Sequence, residues 1–153
     1  MTHSHIRNKG GTSMTQQDKE LLLKDLCARL PYGVKILHIG WNYELDDTLA
    51  TVERVVGIDE NWLYTKVIDD HTGEEYREDE YPIDTFDDKL YLRPMSSMTE
   101  EEKADIEWYY RNSQVDKKDV SNCIDYFNSH YLDYRGLIEK GLALEAPKGM
   151  YRL

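Results

Sequence analysis

TLATVERVVGI (residues 48–58), DEN (residues 59–61) and WLYTKVI (residues 62–68) form the stretch whose reading decides the fold. The outer runs are rich in β-branched and aromatic residues, which suit a pleated, half-buried surface. The short polar break between them is a turn signal, so the pair reads as a β-hairpin. Upstream, VKILHIGWNY (residues 34–43) alternates and predicts another strand, loosened near its end by Gly40. Downstream, DHTG (residues 70–73) marks a turn before a fourth strand over 75–83, and 90–93 suits a short fifth. Pro82 cannot donate to a ladder, so the fourth strand belongs at an edge. Short strands joined by polar turns predict a small antiparallel sheet, curled or barrel-like.

Helical periodicity flanks this region. Over 15–30, Leu22, Leu23, Leu26, Cys27 and Leu30 recur at helical spacing behind a Thr15 cap, with Asp18 three residues on. Pro31 and Gly33 stop that helix. The run MTEEE (residues 98–102) opens a second helix, with Thr99 as cap, Glu102 as its reciprocal partner and acids facing the positive end of the helix dipole. Ile106, Tyr109 and Tyr110 continue its apolar side. After a polar break over 112–119, Val120, Cys123, Ile124 and Phe127 predict the buried face of a third helix over 120–130. Asp133 is placed to cap a short last helix through Leu137 and Ile138, ended by Gly141, and 142–144 suits a strand. The expectation is a single α+β domain over 14–153, with sheet at about 34–93 and helices at about 99–141. Residues 1–13 are polar and aperiodic and read as a disordered tail.

Two segments carry a resemblance. YLRPMSSMTEEE (residues 91–102) and DYRGLIEKGLALEAPKGMY (residues 133–151) resemble a family of small acidic proteins from gut Bacteroidales and their prophages or other mobile elements. The likeness covers roughly the C-terminal 60 residues. It implies a cytoplasmic accessory protein of a bacterium or phage. It implies no activity and carries over no functional residue.

Charge narrows the function classes. The net charge of −11 divides as +3 over residues 1–40, −12 over 41–100 and −2 over 101–153. Such a field repels phosphate backbones and attracts basic protein surfaces. The 2 cysteines, Cys27 and Cys123, are far apart and each alone, which fits a reducing compartment. No run approaches 18 apolar residues, and the start lacks a signal-peptide stretch.

Chemical motifs are weak. His3 and His5 form a short tract in the tail. Asp69, Asp70, His71 and Glu74 cluster at one turn, but the pattern of a calcium loop is missing. No metal and no cofactor is expected. Ser96 and Ser97 lack a nucleophile elbow, and Gly10-Gly11 lacks the lysine of a phosphate-binding loop. Cys27 and Cys123 read as small buried hydrophobes. The distinctive feature is acid interleaved with tyrosine: EEYREDEY, residues 74–81, in a chain with 12 Tyr and 2 Phe. Glu74, Glu75, Tyr76, Glu78, Asp79, Glu80 and Tyr81 are the candidate partner-binding residues. Alternation places Tyr76 and Glu78 on one face, with Glu75, Arg77 and Asp79 opposite. The plain alternative is an edge strand whose charges prevent sheet-to-sheet association.

The expected function is a non-enzymatic interaction or regulatory module meeting a basic protein partner, a DNA mimic being one version. A small enzyme with a carboxylate site is the second reading, marked by a concave pocket holding a buried acid or histidine. The third is nucleic-acid binding through Lys117, Lys118, Arg135, Lys140, Lys148 and Arg152. Oligomeric state is not legible.

Overall fold

The computed structural model describes residues 14–112 and 118–151. The expected tail over 1–13, with His3 and His5, lies outside the described residues, as do most of the polar break after Asn112, Lys117 and Arg152. The architecture is α+β. The chain divides into two compact units, Met1–Leu90 and Tyr91–Leu153, and the boundary falls inside one strand.

The first unit opens with α1 (Gln16–Arg29). Thr15 caps it, its hydroxyl oxygen accepting the Asp18 N–H at 3.0 Å. The buried positions are Leu22, Asp25, Leu26 and Arg29, a regular stripe along one face. This corrects the expected stripe: Cys27 is exposed, and two charged residues lie inside. Arg29 Nε donates to Asp25 Oδ2 at 2.9 Å and Nη2 to Oδ1 at 3.2 Å, one helical turn apart. That forked geometry offsets much of the desolvation cost of burying both charges. A 3-10 turn (Leu30–Tyr32) follows. It closes on Gly33 at φ +70°, a backbone that favours glycine.

Strands β1 (Lys35–Asn42), β2 (Asp47–Ile58), β3 (Trp62–Ile68) and β4 (Glu75–Pro82) form an antiparallel meander. The start of β5 (Lys89–Leu92) pairs with the other side of β1 through Ile36↔Leu90 and Leu37↔Lys89. The order β4-β3-β2-β1-β5 makes β4 an edge, with Pro82 its last residue. By register, Ile36, Val55, Leu63, Val67 and Leu90 share one face, and all five are fully buried. At about 25 cal/mol for each Å² of apolar surface removed from water, such residues supply most of the driving force.

In the second unit, the end of β5 runs beside β6 (Ala143–Glu145), and the Ala146 N–H donates to Leu92 O at 2.7 Å. Helices α2 (Glu100–Asn112) and α3 (Lys118–Ser129) lie between them in sequence. The expected capping box is present. The Thr99 N–H donates to Glu102 Oε1 at 2.9 Å, and the Glu102 N–H to the Thr99 hydroxyl at 3.1 Å. Two expectations are corrected. Val120 and Ile124 on α3 are exposed, and Cys123 is half-buried. The contacts of α3 concentrate at its C-terminal end, where Phe127 stacks on Tyr134 and Asn128 is buried. Among the described residues, no helix follows Asp133. Its carboxylate oxygens accept the Leu137 and Ile138 N–H groups at 2.8 and 2.9 Å, holding a wider turn. Gly136 at φ 74° takes the backbone out of the helical region within that turn. Leu137 is nevertheless fully buried. Among the described residues, no helix is long and apolar enough to cross a membrane.

Candidate functional site

Edge strand β4 carries the acidic candidates, and its backbone decides where each points. The β3–β4 register pairs Val67 with Arg77 but Ile68 with Glu75, so Tyr76 is an extra, bulged residue. The bulge moves Glu75 onto the face of Glu78 and Glu80. Arg77, Asp79 and Tyr81 occupy the other face. The strict alternation expected over Glu75 and Tyr76 is thereby corrected.

The seven candidates do not form one surface. Glu74, Glu78 and Glu80 are exposed, as is Tyr76, with the Arg77 guanidinium 5.8 Å from its ring centroid. Glu75 is engaged: the Arg54 guanidinium donates to both of its oxygens, Nη2 to Oε1 at 2.9 Å. That bond, with Lys66 and Lys35 nearby, holds the Glu75 carboxyl below its ordinary range. Asp79 lies 3.4 Å from Arg77 Nη2 and accepts from the Tyr81 hydroxyl at 3.3 Å.

Tyr81 leads inward to a polar cluster. Its hydroxyl lies 2.7 and 2.8 Å from the two oxygens of Glu53, a fully buried carboxylate in the middle of β2. Thr65 on β3 donates to the same carboxylate at 2.6 Å, and Thr51 donates at 2.5 Å. Three hydroxyls from β2, β3 and β4 therefore converge on one carboxylate. Burial, then the bond to Glu53, pushes the Tyr81 hydroxyl far above its ordinary value. Tyr81 thus keeps its proton at neutral pH and serves as a donor. The Tyr81 ring stacks on His38 of β1, with centroids 4.1 Å apart. His38 Nδ1 is 2.6 Å from Asp88 Oδ2, just before β5. A side chain at Gly40 would crowd His38 Nε2, since a Cβ there would lie 3.3 Å from it.

Only Tyr81 of this cluster was singled out from the sequence. The available signal was parity: Glu53 sits two residues from Thr51 and Val55, on the inward side of a β-branched strand. A lone acid at an inward position must be satisfied by partners.

Other sequence candidates have local roles. Asp69 accepts the His71 and Thr72 N–H groups at 2.8 and 2.9 Å, which lowers its pKa and shapes the turn. Among the described residues, no group of three or more His, Cys, Asp or Glu is arranged to hold a metal ion. The Ser97 hydroxyl donates to Pro94 O at 2.7 Å. Burial raises the Cys123 thiol pKa. A cleft of about 210 Å³ is lined by residues including Lys19, Asp84, Phe86 and Asp87, with neither Glu53 nor His38 in its wall. In the second unit, Arg93 donates to both Glu102 oxygens at 2.7 and 2.8 Å, and His130 Nδ1 lies 2.7 Å from Glu102 Oε2. These bonds, Arg93 foremost, bring the Glu102 pKa down to about 2. Of the basic candidates, Lys118, Lys140 and Lys148 are exposed, while Arg135 lies over the Tyr134 ring at 4.9 Å. Comparison with known protein families, with curated proteins and with solved structures found no match to this chain.

Proposed function

We propose that the chain is a non-enzymatic interaction module, an accessory protein of a bacterium or its mobile elements, that meets a basic partner through edge strand β4. The observation that supports this reading is the outward set Glu74, Glu78 and Glu80 beside exposed Tyr76 on an edge of the sheet. Exposed carboxylates of one sign raise encounter rates with a cationic surface and make association salt-dependent. Tyr76 supplies ring area with a polar tip. Tyr81, Glu75 and Asp79 support the strand rather than the contact.

The test is charge reversal. Glu78→Lys with Glu80→Lys should leave the melting temperature within a few degrees. It should slow association with a partner captured at low salt and flatten the salt dependence of the rate. An unchanged rate and unchanged salt slope would reduce β4 to a solvated edge.

A second reading, a small enzyme with a carboxylate site, draws on the Asp88–His38 pair at 2.6 Å. It requires a substrate to reach His38 Nε2 beside Gly40. Turnover of a generic ester or phosphoester, abolished by His38→Gln, would favour it. Glu53 fits a supporting role better, because its oxygens already receive hydroxyl donors from three strands.

A further inference from the structure

One face of the sheet is closed and the other open. Opposite the buried set of Ile36, Val55, Leu63, Val67 and Leu90, the other face presents Lys35, Leu37, Val52, Arg54, Tyr64 and Lys66, each half-buried. Register sets three cations in a line. Lys35 stands opposite Arg54, Arg54 opposite Lys66, and the line ends at Glu78 on β4. Lys89 of β5 stands opposite Leu37 on the same face. Neighbouring strands are about 4.8 Å apart, so Lys35 to Lys66 spans about 10 Å. Like charges directly opposite one another across strands are destabilising. A chain of net charge −11 nevertheless places three cations side by side here.

The line is held in place. The stem of Arg54 lies against the Gly33 turn, where a Cβ would come 3.0 Å from its Cδ. The Arg54 guanidinium donates to both oxygens of Glu75, and Lys66 and Lys35 act on the same carboxylate. Glu75 reaches this face only through the bulge at Tyr76. It is an internal anion seated among the cations, and it does not balance them: with Lys89 and Glu78 included, four cations face two carboxylates. Beside the line lies an aromatic ring. Tyr64 is two residues before Lys66 on the same face and stands opposite Gly57, where a Cβ would lie 3.4 Å from the ring. The glycine lets the ring lie close over β2. The Tyr64 hydroxyl donates to Asp59 Oδ2 at 2.8 Å, which ties down the far end of the ring.

We propose that the open face of β1, β2 and β3 binds a free nucleoside diphosphate, with its phosphates on Lys35, Arg54 and Lys66 and its base against the Tyr64 ring. A line of cations suits a short chain of phosphates, and the Arg54 fork suits the paired oxygens of one of them. A tethered ring offers the surface on which a base stacks. The small extent of the patch selects a free nucleotide over a nucleic-acid strand. A strand continuing past the cations would meet Glu78 and Glu80 on β4, or Glu44, Asp46 and Asp47 at the tip of the β1–β2 hairpin, and these acids repel phosphates. Phosphate binding displaces Glu75 from Arg54, so Glu75 is a built-in competitor. The site lies on β1, β2 and β3 and uses neither Tyr76 nor Glu80, so it and the edge-strand contact can fail separately.

The experiment is calorimetric titration of the full chain with ADP at low salt, with adenosine, inorganic diphosphate and a short single-stranded oligo-dA as separate arms. ADP should bind more tightly than adenosine or diphosphate, because it alone meets both the ring and the cations, and more tightly than the oligonucleotide. Lys66→Gln should weaken ADP about tenfold, as expected for loss of one charge-assisted contact. Tyr64→Leu should weaken ADP by about the same factor and leave diphosphate unchanged. Glu75→Gln should tighten ADP several-fold, which a purely structural ion pair would not do. Circular dichroism and melting of each variant confirm that the fold survives. In the unaltered chain, nuclear Overhauser contacts between adenine protons and the Tyr64 ring are expected. Absence of ADP binding, diphosphate binding as tightly as ADP, tighter binding of the oligonucleotide, ADP affinity indifferent to Lys66→Gln and Tyr64→Leu, or no tightening in Glu75→Gln would overturn the proposal.

Discussion

Within one β-hairpin, two halves of similar composition meet different fates. In the half nearer Lys35 and Ile58, β1 and β2 have partners on both sides, and Ile36, Glu53 and Val55 are fully buried. In the half nearer the turn, residues 38–42 and 47–51, the two strands form a ribbon in which, among the described residues, they ladder only with each other, and Ile39 and Leu49 stand exposed on opposite faces. Strand-forming residues continue through both halves. Burial is therefore set by where β3 and β5 stop rather than by the residues of the hairpin itself. An apolar residue held in the ribbon is expected to contribute little to the isolated fold.

The sharpest contrast uses one residue type on one strand. Ile36→Ala should cost about 2–5 kcal/mol, as expected for a large-to-small change at a fully buried site. It should appear as a lowered denaturant midpoint for the first unit. Equal small losses at Ile36 and Ile39 would break the comparison.

Next in size is the polar tie beneath the sheet face. Glu53→Ala should leave the Thr51, Thr65 and Tyr81 hydroxyls without their shared acceptor. Each hydroxyl that stays buried and unsatisfied costs about 1–3 kcal/mol. Restoring much of the midpoint with Glu53→Gln would show that an acceptor, rather than a charge, is what the three strands require.

The second unit carries its own acid dependence. Glu102 in the second unit has a folded pKa depressed from 4.5 to about 2. Its contribution is fully present above the unfolded value and is lost as pH falls from about 4.5 towards 2. Glu102→Gln should weaken the unit at neutral pH and flatten its acid dependence over that interval. An unchanged acid profile would mean that Arg93 and His130 do not hold this carboxylate in solution.

The smallest effect is expected at the ribbon. Ile39→Ser and Leu49→Ser should each change stability by no more than about 0.5 kcal/mol, the usual range for exposed positions. Loss of several kcal/mol would mean that the ribbon is part of the fold's own packing.

Local signals made much of this structure legible. Strand and helix positions, the Thr15 cap and the Thr99–Glu102 box follow from short-range chemistry, and so does the placement of β4 at an edge by Pro82. Features decided by distant partners were not legible. Arg29 is inside because Asp25 meets it there, and Cys27 is outside in consequence. The bulge at Tyr76 redistributes the acids of β4 through the β3 register. Glu53 needed partners on two other strands to be recognisable as a buried acid. The overhang of the ribbon depends on the ends of β3 and β5, which the hairpin residues do not encode. At Asp133 the expected helix cap is instead the anchor of a turn, its carboxylate accepting the Leu137 and Ile138 N–H groups while Gly136 at φ 74° carries the backbone out of the helical region.

Amide hydrogen exchange, read residue by residue, tests the contrast most directly. In the isolated chain, amides over 38–42 and 47–51 should exchange far faster than those over 52–58 and 62–68, because they open without the rest of the sheet. Equal protection of both halves would contradict the account.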